Sequence, residues 1–468
     1  MSFVPSMFEL GLLLSVLVSA GAGTIVGFAA GLVPGLHMNN IAATLTAYAG
    51  GAISAFTLLG NDLRPDEVAL AISCFVSAAL IAHLFAEAVT SSYVGIPSED
   101  VVSVLPAHRL AKAGFGGIAV TASADGSLAG VLLSVILLVP MCLLMGEPIG
   151  LYSLVRRVMA LFIIFFSMVL LASEGSSFQA RAQRVDRLLR ILKAVAVFLA
   201  AGVLGTIVLR TDYYACPLPD LPWMPGGYVL KSSLLLPMFA GLFGVSGLLL
   251  SLGSRSVTDA KSAGIIPHHS PGLRDLVTSL FGGLIVGWMP GMTSGSAVTL
   301  CSPRTKEAGG GGDISSSVRF IWLYSAISSS GAIFAVGALF TILRARSGSM
   351  DAVQFFLGGG NISKGYSSNV LPIVSIVLSM LVASLISHFV LRWLCPRLAR
   401  LRAVLCSRAL ALGSLAFVCA LSLALTGTRG VLLMATATTL GLIPPLAGIR
   451  RIQLMGCLLV PIATTFLA

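Results

Sequence analysis

Apolar runs of about 17 to 25 residues recur from one end of this chain to the other, the length at which a helix crosses a hydrocarbon core of about 30 Å. In hydrocarbon each backbone amide and carbonyl must be satisfied within its own segment, so runs of this kind are helices. Candidate spans fall near 8–33, 41–59, 68–92, 116–145, 150–173, 194–210, 230–253, 277–300, 319–343, 370–394, 409–425, 430–447 and 452–467. Composition agrees: 56% of the 468 residues are hydrophobic and 10% are charged, against roughly 25% charged in a soluble domain. The expected fold class is an all-α polytopic membrane protein, multi-pass in the cell (plasma or inner) membrane.

A net charge of +11 invites a nucleic-acid reading, but the basic residues sit in short connections between spans. That is the positive-inside pattern, so no nucleic-acid partner is expected. Arg181, Arg184, Arg187, Arg190 and Lys193 mark one cytoplasmic loop; Arg392, Arg397, Arg400, Arg402 and Arg408 mark another, and Arg450 and Arg451 a third. With no Lys or Arg before Arg64, the first segment lacks the flank of a signal peptide, and the N-terminus is expected outside. The eight cysteines are scattered without metal-ligand spacing and read as packing residues; no bound metal is expected.

Against this background one motif occurs twice. Gly31-Leu32-Val33-Pro34-Gly35-Leu36 and Gly287-Trp288-Met289-Pro290-Gly291-Met292 lie more than half the chain length apart. Proline lacks a backbone donor and clashes with the preceding turn, and glycine accepts dihedrals that other residues avoid, so a helix ends at each. Counting sides from the basic loops starts and ends the Pro34 segment outside and the Pro290 segment inside. Opposite orientation is the mark of inverted-topology repeats, here with two broken or re-entrant Pro-Gly hairpins. The division expected is 1–173 as a first repeat half, 174–193 as a basic cytoplasmic loop and 194–468 as a second half. Arg156, Arg157, Arg344 and Arg346 fall on the wrong side of this count.

Irregular backbone at membrane depth survives where it is buried in protein or lines a cavity. After the first break, amides around Leu36, His37, Asn39 and Asn40 open the next half-helix, whose dipole favours an anion. After the second, Thr293, Ser294, Gly295 and Ser296 offer amides and hydroxyls. Pro34, Gly35, His37, Asn39, Asn40, Pro290, Gly291, Thr293, Ser294 and Gly295 are therefore the expected substrate-binding residues, for a carboxylate or a phosphate. The plainer reading of each break is a kink in a long helix.

Charged groups inside spans are costly and mark function by default. His83 and Glu87 share a helix face, with Thr90 and Ser91 continuing it, and Asp125 lies among small residues in Ser123-Ala124-Asp125-Gly126-Ser127. His83, Glu87 and Asp125 are the expected coupling residues, with a proton or sodium as the coupling ion and no other cofactor. A buried pair that joins helices, or a helix-end cap, is the plain alternative. Glu99 and Asp100 read as a polar connection. His108, Arg109 and Lys112, like Arg304, Lys306 and Arg319, read as positive-inside anchors or as a vestibule for an anion, and His388 as packing near a helix end.

With these motifs the chain resembles the TctA family, the large membrane subunit of tripartite tricarboxylate transporters. The two Gly-x-x-Pro-Gly breaks carry the resemblance, with residues 94–130 (VGIPSEDVVSVLPAHRLAKAGFGGIAVTASADGSLAG), 237–247 (PMFAGLFGVSG) and the basic stretch ending in Gly202-Val203-Leu204-Gly205. It departs at Ser98-Glu99, where the family has Gly-Thr, and at 302–318, which keeps the position of a Glu- and Asn-rich stretch without its residues. The resemblance implies a secondary carboxylate permease working by alternating access, with an extracytoplasmic binding protein and a small membrane subunit as partners beside the lipid bilayer. Self-association is left open. The weaker similarity, to DUF368 polyprenyl-phosphate translocases, implies a flippase for a lipid phosphate. An enzyme is not expected, because the chain has no HExxH, no GxGD-type pair and no serine nucleophile with an evident base.

Overall fold

The computed structural model describes residues 7–59, 63–95, 101–174, 184–211, 214–215, 230–231, 234–253, 269–289, 292–301, 314–358, 369–405 and 407–467. Pro290 and Gly291, together with Ser98, Glu99, Asp100, Arg181, Arg304 and Lys306, lie outside the described residues.

The regular elements of the described residues are helices apart from a two-residue antiparallel pair, Tyr214–Ala215 with Leu230–Lys231. In the first half run α1 (Met7–Gly31), α2 (Met38–Ala47), α3 (Ala49–Leu59), α4 (Pro65–Tyr93), α5 (Val101–Lys112), α6 (Gly116–Met145) and α7 (Leu151–Ser173). Next come α8 (Arg184–Arg210), α9 (Leu235–Phe239), a π-helical turn (Ala240–Val245) and α10 (Ser246–Gly253). The remainder comprises α11 (Leu273–Trp288), α12 (Ser294–Cys301), α13 (Ile314–Ile342), α14 (Gly348–Phe356), α15 (Val370–Leu405), α16 (Arg408–Ala447), a 3₁₀ turn (Arg451–Met455) and α17 (Gly456–Leu467).

Among the described residues nine helices are long and apolar enough to cross a membrane, or ten if α2 and α3, bent by 89°, count as one span. The protein is an integral, multi-pass membrane protein. Two expected spans, 409–425 and 430–447, run together as α16, whose 40 residues are interrupted at Gly427 (φ 66°). A helix of that length reaches about 60 Å, twice a hydrocarbon core, so the interruption keeps two spans' worth of helix. Basic stretches read as loops are helical instead. Arg184 to Lys193 form the first turns of α8, and Arg392 and Arg397 continue α15. Long basic side chains carry their charge outward on flexible stems and so do not stop a helix.

Helix ends follow local chemistry. Pro65 occupies the first turn of α4, and the Arg64 amide donates to Glu67 Oε2 at 2.8 Å, so the proline's missing donor costs nothing there. Ser347 caps α14 and Ser407 caps α16 through the amides of Met350 and Leu410.

α4 and α13 are the buried axes, with 83% of their most apolar stretches inside the protein. Glycines set their neighbours and directions. A methyl placed on Gly23 would lie 3.0 Å from the Phe75 carbonyl carbon, on Gly27 2.5 Å from Ala79 Cα, and on Gly31 2.7 Å from Ala86 Cβ. The two numbers rise together, so α1 runs parallel to α4. The same holds for α11 and α13, where Gly282 meets Ile327 and Gly287 meets Phe334. Small residues of this kind let helix backbones approach closely where lipid offers no hydrophobic drive.

Helices far apart in sequence also pair. α6 runs parallel to α13, with Gly126 against Trp322, Gly130 against Ala326 and Cys142 against Gly337. Ser379 of α15 donates to Cys74 O of α4 at 3.2 Å. α6 and α15 are antiparallel, since Cys395 donates to Gly117 O while His388 meets Ala124 O. Tyr93, ending α4, packs on Gly116, which begins α6, so these two are antiparallel as well. Hence α1, α4 and α15 run one way, and α6, α11 and α13 the other.

Candidate functional site

At the first break α1 ends on Gly31 and the chain turns through Pro34 and Gly35, both buried, before α2 begins. Gly35 has φ +80°, a conformation suited to glycine. Its backbone rests on the π-helical turn: a methyl on Gly244 would lie 3.3 Å from Gly35 O. Widening a helix to π geometry loosens its carbonyls, and the guanidinium of buried Arg451 donates to Leu242 O and Phe243 O, each at 3.3 Å, and to Ser246 Oγ. Neither the π turn nor Arg451 was expected. Sequence gives no signal for the former, and Arg451 read as a loop anchor.

Three amides of the first break are engaged within the turn. Leu36 N donates to Val33 O, Asn40 N to His37 O, and Asn39 N to Nδ1 of His37 at 3.1 Å, so that His37 is the cap of α2. What faces outward is side chain. Asn39 Oδ1 accepts from Ser349 N at 3.2 Å and lies 3.4 Å from Ser349 Oγ, tying α2 of the first half to the start of α14 in the second. Asn40 is buried. The His37 ring stands edge-on to that of His83, centroids 5.3 Å apart. Thus His83 meets a residue from the break, a contact between segments that helix spacing does not reveal.

The residues that follow the second break are capped in a related way. Thr293 and Ser296 form a reciprocal cap at the start of α12: Thr293 N donates to Ser296 Oγ at 2.9 Å and Ser296 N to Thr293 Oγ1 at 3.3 Å. Ser294 and Gly295 occupy the buried first turn. From there α12 lies on α13, where Ala297 and Val298 pack with Phe320, Leu323 and Ile327.

Where α4, α5, α6 and α13 meet is a small cleft of about 20 Å³. Serines from three helices line it: Ser91 and Ser92, Ser123 and Ser127, Ser325 and Ser328, with the Tyr324 ring and one carboxylate, Glu87. The Ser123 and Ser325 hydroxyls are 2.7 Å apart, and Ser329 donates to Ser127 O across the same seam. Glu87 also borders the first break, its amide nitrogen 3.1 Å from a methyl built on Gly31, whose carbonyl accepts from Thr90 Oγ1. Such a cleft offers hydroxyl donors to an oxygen-rich guest, with a single acidic group to answer a cation.

Asp125 stands apart from it. Its neighbours Ser123 and Ser127 face α13, while Asp125 Oδ1 takes a 2.9 Å bond from Arg392 on α15 with His388 Nδ1 at 3.9 Å. His388 sits within α15 rather than near its end. Arg319 is bound to Asp275 at 2.6 Å, with His269 on the other carboxylate oxygen. Arg109 donates to Ser317 Oγ. His108 bonds to Ser92 O at 2.9 Å, and burial holds its ring below the usual imidazole range. No cluster of three metal-ligating side chains occurs among the described residues.

A family model described as "Tripartite tricarboxylate transporter TctA family" matches residues 17–456. Over 116 residues the chain is 30% identical to an uncharacterized protein of Methanocaldococcus jannaschii, a stretch covering 25% of this chain and 25% of that one. No solved structure matches.

Proposed function

Because the chain belongs to the tripartite tricarboxylate transporter TctA family, we propose that it moves an organic anion, a di- or tricarboxylate, by alternating access driven by a proton or sodium gradient. The family is one of transporters rather than enzymes, and its members are membrane subunits of tripartite systems. A small membrane subunit and an extracytoplasmic binding protein are accordingly its proposed partners. The observation that carries the reading is the family match over nearly the whole chain.

The helix directions support inverted repeats, with α1 to α6 answering to α11 to α15. In that scheme the substrate sits between the two breaks, at Pro34, Gly35, His37, Asn39, Asn40, Pro290, Gly291, Thr293, Ser294 and Gly295, and borrows hydroxyls from the serine-lined cleft. With the Leu36, Asn39 and Asn40 amides engaged in their own turn, side chains and the cleft add donors. Glu87 is what makes coupling obligatory. A carboxylate facing an anionic guest in a site of low dielectric repels it until a cation neutralises it. His83 and Glu87 are the coupling face, and Asp125, held by Arg392, joins α6 to α15 rather than carrying an ion.

Glu87→Gln is permanently neutral, so it should keep exchange of external for internal substrate while losing gradient-driven accumulation. Labelled citrate and succinate in vesicles containing the full transporter provide the assay. Accumulation at the wild-type level by the variant would remove Glu87 from coupling. The family match does not favour the polyprenyl-phosphate flippase. Native mass spectrometry of gently released protein separates the two: a retained prenyl phosphate would overturn the carboxylate reading.

A further inference from the structure

The buried imidazole of His83 is 1% exposed, and neither of its ring nitrogens has a hydrogen-bond partner among the described residues. Burying such a group unbonded costs about 1–3 kcal/mol. Its aromatic neighbour among the described residues is His37, edge-on at 5.3 Å with an interplanar angle of 76°. His37 itself is committed, because its Nδ1 accepts the Asn39 amide and so must be unprotonated while the cap of α2 holds.

We infer that His37 and His83 form a proton-carrying site beside Glu87, one proton for the two rings, and that its arrival on Nδ1 of His37 releases the cap of α2. The inference rests on the transport reading above and names its coupling ion.

The chemistry is a proton transfer alone. A proton from the aqueous side forms an N–H bond at His37 Nδ1, and the ring becomes a cation with two donors. It can no longer accept from Asn39 N, and its charge now stands at the positive end of the α2 dipole. Both effects loosen the first turn of α2. That turn carries Asn39, whose carboxamide holds Ser349 of the opposite half, so a proton on one ring weakens a contact between halves. An edge-on neighbour suits one charged ring resting against one neutral ring, and repulsion in a dry interior prevents two charges at this distance.

The other titratable groups about the pair are few. Glu87 lies one turn beyond His83 on α4, and Asp351 lies in the first turn of α14. His108 of α5 is bonded to Ser92 O, and on α15 His388 turns toward Ala124 O and Arg392 toward Asp125. On α13, Arg319 is held by Asp275. α2, α3 and α9 carry no titratable side chain.

Hydrogen–deuterium exchange of the full chain in lipid nanodiscs tests this without any substrate. After correction for intrinsic rates, protection of peptides covering 37–47 should fall about tenfold as pH drops across the histidine range of about 8 to 5. His37→Asn supplies a cap that cannot take the proton, and its protection should stay flat. His83→Phe keeps an aromatic neighbour without nitrogens and should move the midpoint. Wild-type protection that ignores pH but responds to sodium chloride would overturn the inference, as would a His37→Asn variant that titrates like wild type or an unmoved midpoint in His83→Phe. Failure of the transport reading would register separately, as wild-type vesicles that do not exchange citrate or succinate.

Discussion

Replacing Gly35 by valine is expected to abolish uptake while leaving insertion and expression unchanged. Insertion is scored on the apolar content of whole segments, which a valine does not reduce. The loss lies in the turn. At φ +80° the left-handed region costs an L-residue about 1–2 kcal/mol, and a β-branched side chain is a genuine outlier there. The first carbon of a side chain finds room, since a methyl would stand 3.4 Å from Leu248 Cδ1 and 3.5 Å from Gly244 Cα. Conformation therefore decides the series until further carbons press on the π-helical turn. Gly35→Asn, the non-glycine residue most at ease there, should retain uptake within about threefold, and Gly35→Ala should lose about tenfold. Equal uptake in Asn, Ala and Val variants would mean that the turn has no part in transport.

The same turn explains what the sequence could disclose and what it could not. Proline and glycine act on their own backbone, so the break at Gly31 to Gly35 was legible from six letters. The long helices were legible too, because hydrocarbon demands uninterrupted apolar runs: 116–145 was read as it stands, and 68–92 and 319–343 differ from α4 and α13 by a few residues at the ends. The bond by which His37 folds back onto Asn39 N, engaging one of the amides expected to hold an anion, was not legible, because its residue type permits it but does not announce it. The contact of His37 with His83 joins segments far apart in sequence. The serine-lined cleft draws its hydroxyls from three helices, and a serine in an apolar helix commonly bonds a carbonyl of its own preceding turn, as Ser134 does to Gly130 O, so no one segment carries the pattern. The ion pair of Asp125 with Arg392 was not anticipated, because Arg392 had been assigned to a loop.

Glycine stripes give the largest expected effect on folding. A leucine at Gly27 should prevent α1 from seating on α4, and the purified protein should be lost to aggregation or melt far below wild type. Its Cβ would stand 2.5 Å from Ala79 Cα and 2.6 Å from the carbonyl carbon, where non-bonded carbons settle at about 3.5–4.0 Å. The obstacle is backbone, with no rotamer to yield, so α1 must shift by about 1 Å and forfeit the packing of Gly23 and Gly31 along the same stripe. Overpacking that side chains relieve costs about 1–3 kcal/mol, and here the upper end is the floor. Gly21 sits on the same helix with nothing within 4 Å of a built methyl, so Gly21→Leu should behave as wild type in size-exclusion profile and melting temperature. Gly287 meets Phe334 Cβ at 2.6 Å and Gly331 O at 3.0 Å on α13, and Gly287→Leu should fail as Gly27→Leu does. If Gly27→Leu and Gly21→Leu melt alike, α1 does not lie on α4 along this stripe. If Gly27→Leu fails and Gly287→Leu does not, the two halves are not built on the same helix pair. That outcome would remove the physical ground for treating their breaks as two faces of one site.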